Sequence, residues 1–165
     1  MAEQRVIKAI QKKQIKCKVL EFERPFESTE DAKNMIDTSL ERMAKTLAFR
    51  SQFGAVILIV SGEAKVDPVK FKKKFGFRPM MLDVEELMEF TGYAPGSVSP
   101  IGLSHNKVKI YMDASIKRFT EGDVYPSAGE DNSALAITAC ELYRAADCQA
   151  YVNVCNNWNV YQLIN

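Results

Sequence analysis

Apolar positions along this chain follow two rhythms. Period-two alternation marks strands: in Arg42-Met-Ala-Lys-Thr-Leu-Ala-Phe-Arg50 it puts Met43, Lys45, Leu47 and Phe49 on one face, and Ala44, Thr46 and Ala48 on the other. The run Gly54-Ala-Val-Ile-Leu-Ile-Val60 carries no polar residue and predicts a buried strand. Val108, Ile110 and Met112 alternate inward across 107–112, the pattern of a half-buried strand. Further strands are predicted at 18–23, 80–82 and 151–154, and 124–128 with 134–138 reads as a hairpin pair around Gly129-Glu-Asp-Asn132.

Helices show mainly by their ends. Residues 5–15 form a lysine-rich amphipathic helix. Ser28-Thr-Glu-Asp31 carries a capping-box pattern, with Ser28 as cap and Asp31 reaching back. Asp67-Pro68 supplies a cap and a proline at the first helical position, Val69, Phe71 and Phe75 give that helix a core face, and Gly76 stops it. Asp83-Val-Glu-Glu86 is a second box, opening a helix that runs to Gly92, and Thr138-Ala-Cys-Glu141 starts a short one. Helices fall between strands, and no repeat, low-complexity tract or linker divides the chain. The expected fold is α/β, a single compact domain over residues 1–165 around one mixed sheet.

Composition narrows the function classes. The 165 residues are 47% hydrophobic and 26% charged, an ordinary globular balance. The longest apolar run, 54–60, falls far short of the roughly 20 residues a membrane helix needs. The polar start Met-Ala-Glu-Gln-Arg lacks the apolar stretch of a secretory signal, so a cytoplasmic location is expected by default. Cys17, Cys140, Cys148 and Cys155 form no CxxC pair, and His105 is the single histidine; four reduced thiols and no metal site are expected. Net charge is +1, but Lys65, Lys70, Lys72, Lys73, Lys74 and Arg78 crowd the middle of the chain, and Lys8, Lys12, Lys13, Lys16 and Lys18 its start. Such runs read either as solvated helix faces or as patches that grip phosphates.

Two features carry candidate chemistry. Lys45 interrupts an otherwise bulky apolar strand face, where an ammonium is costly unless it is paired, reaches a cleft, or loses its proton. It either snorkels to an edge or pairs with a core carboxylate, or else faces a ligand. About fifty residues on, Gly92-Tyr-Ala-Pro-Gly96-Ser-Val-Ser-Pro100-Ile-Gly102 is too rich in glycine and proline for helix or regular strand. It matches neither a Walker loop nor a dinucleotide fingerprint. The amides of Ser97, Val98 and Ser99 could line an oxyanion site. A lysine and a stiff loop of backbone amides suit an anionic or carbonyl-bearing ligand. His105 has no GxSxG elbow or placed acid beside it and reads as a surface residue. Trp158, with Tyr151 and Tyr161, reads as packing of the C-terminus, and Asp113 as the cap of a short helix.

Taken in order, Met43-Ala-Lys45-Thr-Leu-Ala-Phe49, Gly96-Ser-Val-Ser-Pro100-Ile-Gly102, Val108-Lys-Ile-Tyr-Met-Asp113 and Ser127-Ala-Gly129 resemble the YbaK/prolyl-tRNA-synthetase-associated editing domain, over roughly residues 28–152. The resemblance implies a mixed, partly closed, barrel-like sheet flanked by helices, with residues 1–17 and 155–165 as peripheral extensions. It also implies a free-standing deacylase that hydrolyses mischarged aminoacyl-tRNA, commonly tRNA for proline carrying alanine or cysteine. No metal or organic cofactor is implied. Lys45 matches the family's lysine, expected to anchor the acceptor end, and Gly96 to Pro100 its GxxxP loop, expected to position the ester carbonyl. Gly129 matches a glycine lining the same pocket. Met43, Leu47 and Phe49 are then the pocket walls, and Lys70, Lys72, Lys73, Lys74 and Arg78 the grip on tRNA. Near-neutral charge implies modest tRNA affinity, helped by an aminoacyl-tRNA synthetase as partner. The rival expectation is a non-catalytic module of the same fold that binds aminoacyl-tRNA or a synthetase.

Overall fold

A computed structural model describes residues 3–158. In chain order the elements are α1 (Gln4–Lys12), β1 (Cys17–Glu21), α2 (Thr29–Ile36), a 3-10 turn (Leu40–Arg42), β2 (Met43–Arg50), β3 (Ala55–Ser61) and β4 (Lys65–Val66). There follow α3 (Pro68–Phe75), α4 (Val84–Thr91), β5 (Val108–Asp113), α5 (Ala114–Lys117), β6 (Tyr125–Pro126), β7 (Ser133–Ile137), α6 (Ala139–Ala145), β8 (Ala150–Val152) and β9 (Cys155–Asn156). Helix starts sit where cap chemistry puts them. Asp67 accepts from the amides of Val69 and Lys70, and both halves of the Asp83–Glu86 box form. The first box forms by half: Ser28 accepts from the Asp31 amide, but the Asp31 carboxylate lands on the Glu27 amide and pairs with Arg24. A guanidinium fork holds it one residue beyond the expected target, the Ser28 amide.

Five strands make the main sheet, in the order β6-β2-β3-β5-β8, with β2 and β3 antiparallel and the other neighbours parallel. The predicted hairpin is only partly one. Single antiparallel bridges join Val124 to Ile137 and Ser127 to Ala134, but β6 ladders onto β2 and β7 ladders onto β1. Those bridges extend the mixed sheet past β6. Strands 80–82 reduce to one bridge, Phe49 to Met81.

Alternation along β3 sends Ile57 and Ile59 into a core shared with α1, α5, α6 and β7, and Val56, Leu58 and Val60 into a second core under α3. In the second, Phe71 sits among Phe49, Phe75 and Phe77 at ring distances of 4.7–5.5 Å. The described parts of the segments expected at the periphery are packed in: Val6 of α1 and Cys155 of β9 are both fully buried. Asp113 caps α5 as read, and its second oxygen takes the Val154 amide, which ties the chain's last described turn to the sheet.

Candidate functional site

The outer edge of β2 is where the sheet is left unfinished. Ala48 accepts from the Leu82 amide and the Arg50 amide donates to Met80, so even-numbered residues point their backbone groups outward and odd-numbered ones toward β3. At the other end, the β6 ladder stops at Ala44. Neither neighbour reaches Thr46. Its amide and carbonyl therefore face outward between two pairings. A cavity of about 370 Å³ opens there, lined by Met43, Lys45 and Leu47 of β2, Gly96 and Val98 of the 92–102 loop, and Ser127. Three segments far apart in sequence thus converge. Glu27, Glu130 and Asp131 add carboxylates to the wall, and Lys45 is the one lysine or arginine among its lining residues.

Lys45 is half-buried, and its ammonium donates to the Ala64 carbonyl at 3.1 Å. Burial lowers its pKa from the usual lysine range, and the charge of Lys65 adds to that. Its partner is a backbone carbonyl and not a core carboxylate, and the same side chain lines the cavity. Lys70 reaches the neighbouring Cys155 carbonyl, 3.2 Å away, so the two lysines approach β9 together. Burial pushes the Cys155 thiol far up, which leaves it a neutral, packed group.

The 92–102 loop is used selectively. The Ser97 amide is spent on the Ala94 carbonyl at 3.2 Å, and Ser99 is buried with its hydroxyl accepting from the Ile101 amide. Neither lines the cavity, nor does the buried Pro100; Val98 is the member of the expected trio that does. Gly96 adopts φ +87, with nothing within 4 Å of where a Cβ would sit, so the backbone bend requires glycine and its outer side stays open.

Two expected wall residues lie elsewhere. Phe49 shares the Lys45 face, but it stands four residues or about 13 Å along the strand, inside the aromatic cluster of α3. Gly129 is buried behind the wall, where a Cβ would come within 2.5 Å of Glu3 Cβ. What the Ser-Ala-Gly turn offers to the cavity is Ser127. Its hydroxyl donates to the Ser97 carbonyl at 3.4 Å and accepts from the Gly129 amide at 3.0 Å. The sequence signal for Ser127 was its place in that motif; Thr46 stands in the Lys45 motif, but nothing local marked its outer backbone edge as open.

Among the basic residues, Lys70, Lys73 and Lys74 line a shallow depression with Tyr151 and Asn153, while Lys72 and Arg78 are exposed outside it. Tyr151 stacks on Tyr143 and carries the Lys117 ammonium 4.2 Å above its ring. His105 stays off the cavity, edge-on to Phe90. Trp158 packs back through its ring N–H on Cys155, and Tyr161 lies outside the described residues. Among the described residues, no group of three or more His, Cys, Asp or Glu side chains is placed to hold a metal, and no helix is long and apolar enough to cross a membrane.

The sequence model of the aminoacyl-tRNA editing domain matches residues 23–145. This chain belongs to that family. The match spans β2, the glycine-rich loop and the Ser127 turn, so every segment that lines the cavity lies inside it. Uncharacterized protein YwhH of Bacillus subtilis is 41% identical over 141 residues, covering 85% of this chain and 88% of that protein. The proline–tRNA ligase of the same organism is 28% identical over 89 residues, which is 53% of this chain and 16% of the ligase. Among solved structures, hypothetical protein APE2540 superposes with a TM-score of 0.82 at 21% identity, over 93% of this chain and 100% of its own. A protein described as a candidate trans-editing enzyme for prolyl tRNA synthetase superposes at 0.80 and 23% identity, over 93% of this chain and 96% of its own. These two likenesses establish the α/β editing-domain fold.

Proposed function

We propose that this protein hydrolyses the ester of mischarged aminoacyl-tRNA, with tRNA for proline carrying a small amino acid such as alanine or cysteine as substrate. The observation that carries the reading is the convergence of Lys45, the Gly96–Val98 backbone and Ser127 on one cavity at an open strand edge. The cavity suits the aminoacyl end: carboxylates of Glu27, Glu130 and Asp131 on its wall complement an α-ammonium group, and the backbone donors complement an ester carbonyl.

An aminoacyl ester is already activated, so the chain needs to place it and stabilise the developing oxyanion. The outward Thr46 amide and the amide of Val98 are the donors we assign to that oxygen. Lys45 supplies the positive charge at the acceptor end, and the terminal ribose 2′-hydroxyl of the substrate orients the attacking water. The tRNA backbone then follows the basic side of α3, with Lys70, Lys73 and Lys74 as its contacts and Lys72 and Arg78 flanking them, so activity falls as salt rises. A synthetase partner would supplement the affinity that a net charge of +1 gives. A separate editing pocket is useful because one methylene is worth only about 1–3 kcal/mol in a synthetase's own site.

The test is a deacylation panel of alanyl-, cysteinyl-, seryl- and prolyl-tRNA for proline, run beside Lys45→Ala. We expect rapid hydrolysis of one mischarged species, sparing of prolyl-tRNA, and a loss of about 100-fold or more in Lys45→Ala. Spontaneous rates on every ester, with tRNA binding intact, would leave the non-catalytic binding module as the function.

A further inference from the structure

Residues 3–5 lie outside the family match and outside the cavity, yet they touch both loops that build it. The Arg5 guanidinium donates through Nη1 to the Thr91 carbonyl at 2.7 Å, at the C-terminal end of α4 where the 92–102 loop leaves. That carbonyl is one a helix end leaves without a partner, and a cation there also suits the helix dipole. The same guanidinium lies 3.8 Å over the ring of Tyr93, itself buried at the loop's start, and its Nε donates to Glu3 at 2.7 Å. Glu3 holds the other loop: its amide donates to the Ala128 carbonyl at 3.0 Å.

The fit on both sides leaves no slack. A Cβ on Gly129 would sit 2.5 Å from Glu3 Cβ, and one on Gly102 would sit 3.0 Å from the Arg5 carbonyl. On the cavity side the two loops meet directly, through the Ser127 hydroxyl on the Ser97 carbonyl. The loops are therefore tied at the front by Ser127 and at the back by Glu3 and Arg5.

We propose that the Glu3–Arg5 segment is a clamp that sets the spacing of the 92–102 loop and the 127–129 turn, with Arg5 as a positioning residue for the deacylation assigned above. This rests on that assignment for its catalytic consequence and on the contacts alone for its structural one. Lysine keeps the charge but loses the planar fork that reaches Thr91, Glu3 and Tyr93 together, so Arg5→Lys should restore only part of the effect. Substrate grip on α3 is untouched, so the loss belongs in kcat. A misplaced positioning group costs up to about 100-fold, and removal of one tie of several should cost about tenfold.

The experiment compares wild type, Arg5→Met and Arg5→Lys by two readouts. Amide hydrogen exchange is followed at Tyr93, Ser97 and Gly129, with Ile57 to Ile59 in β3 as the reference, and kcat and KM are measured on the charged tRNA that the panel identifies. The clamp predicts exchange about tenfold faster in both loops and unchanged in β3, a kcat about tenfold lower, KM within about twofold, and intermediate values for Arg5→Lys. Wild-type exchange in the two loops, or acceleration shared equally by β3, overturns the clamp and leaves Arg5 with a general folding role. Faster loop exchange with unchanged kcat overturns its positioning role. If the wild type cleaves no charged tRNA, the deacylase assignment fails by itself and the exchange data still decide the clamp.

Discussion

β2 and β3 lie side by side with opposite degrees of completion. β3 has a ladder on each edge, and Ala55 to Val60 are all buried. β2 shares the inner of those ladders, but its outer edge changes partner between Ala44 and Ala48, and Lys45, Thr46 and Leu47 are only half-buried. Their alternating residues enter the same two cores, so packing does not explain the difference. The outer partners do. A short parallel strand and a single-bridge segment leave one residue's backbone groups free, and the fully laddered β3 behind them keeps that gap in place. An open strand edge is ordinarily a hazard for aggregation. Here it is one residue wide and opens into a cavity, which makes it a fixed hydrogen-bonding position.

The sharpest way to break this comparison is a pair of proline substitutions one residue apart. The Leu47 amide faces β3, so Leu47→Pro removes a ladder bond and should cost about 3 kcal/mol or more of stability. The Thr46 amide faces outward, so Thr46→Pro should cost only about 1 kcal/mol while removing the donor assigned to the ester oxygen. Urea denaturation reads the first difference, and a tenfold or greater fall in deacylation by the folded Thr46→Pro protein, roughly the cost of one lost oxyanion donor, reads the second. Equal destabilisation by the two variants would show that Thr46 is laddered after all.

What could be read from the chain divides along the same line. Caps and stops were legible because their partners sit within four residues: Asp67 on Val69, Asp83 with Glu86, Thr138 with Glu141. The faces of β2 were legible because strand period is fixed by covalent geometry. Sharing a face, however, is not sharing a cavity, and Phe49 shows the difference. The open edge at Thr46 depends on where β6 and Met80–Leu82 dock, some 80 and 35 residues away, and no local pattern encodes that. The same is true of Ser97, whose amide is consumed inside its own turn, and of α1. Its lysine-rich face was plain, while the value of Arg5 lies in contacts with loops about 90 and 125 residues further on.

A smaller effect separates function from stability at Lys45. Because burial holds its pKa below the usual lysine value, the folded state binds this proton less tightly than the unfolded state does. The charged form is therefore a cost at neutral pH, and the cost is relieved as pH rises from the folded pKa toward 10.5. Lys45→Met should abolish activity yet leave stability at pH 7 unchanged or higher by under about 1 kcal/mol, since solvent screens the half-exposed ammonium and Ala64 loses a donor. The advantage of the variant should shrink with rising pH. A Lys45→Met protein clearly less stable than wild type would mean that the lysine is chiefly structural.

The smallest expected effect concerns what keeps Met80–Leu82 against β2. Arg50, at the end of that strand, forks onto Glu86 at 2.8 and 2.5 Å, and Glu86 is also the returning half of the α4 capping box. The Arg50 hydrogen bonds, joined by the Asp83 amide, hold the Glu86 carboxyl down to about 2 from an ordinary 4.5. A depressed acid contributes stability that is fully present above its unfolded pKa and lost as pH falls through its folded one. Wild type should therefore exceed Glu86→Gln in thermal stability by a constant margin above about pH 5, and the two should converge between pH 4.5 and 2. If Arg50–Glu86 also sets the far border of the gap at Thr46, Glu86→Gln should speed amide exchange at Leu82 while leaving β3 unchanged. Exchange that is unaltered at Leu82 would assign the border to the backbone pairing alone and confine the ion pair to the cap of α4.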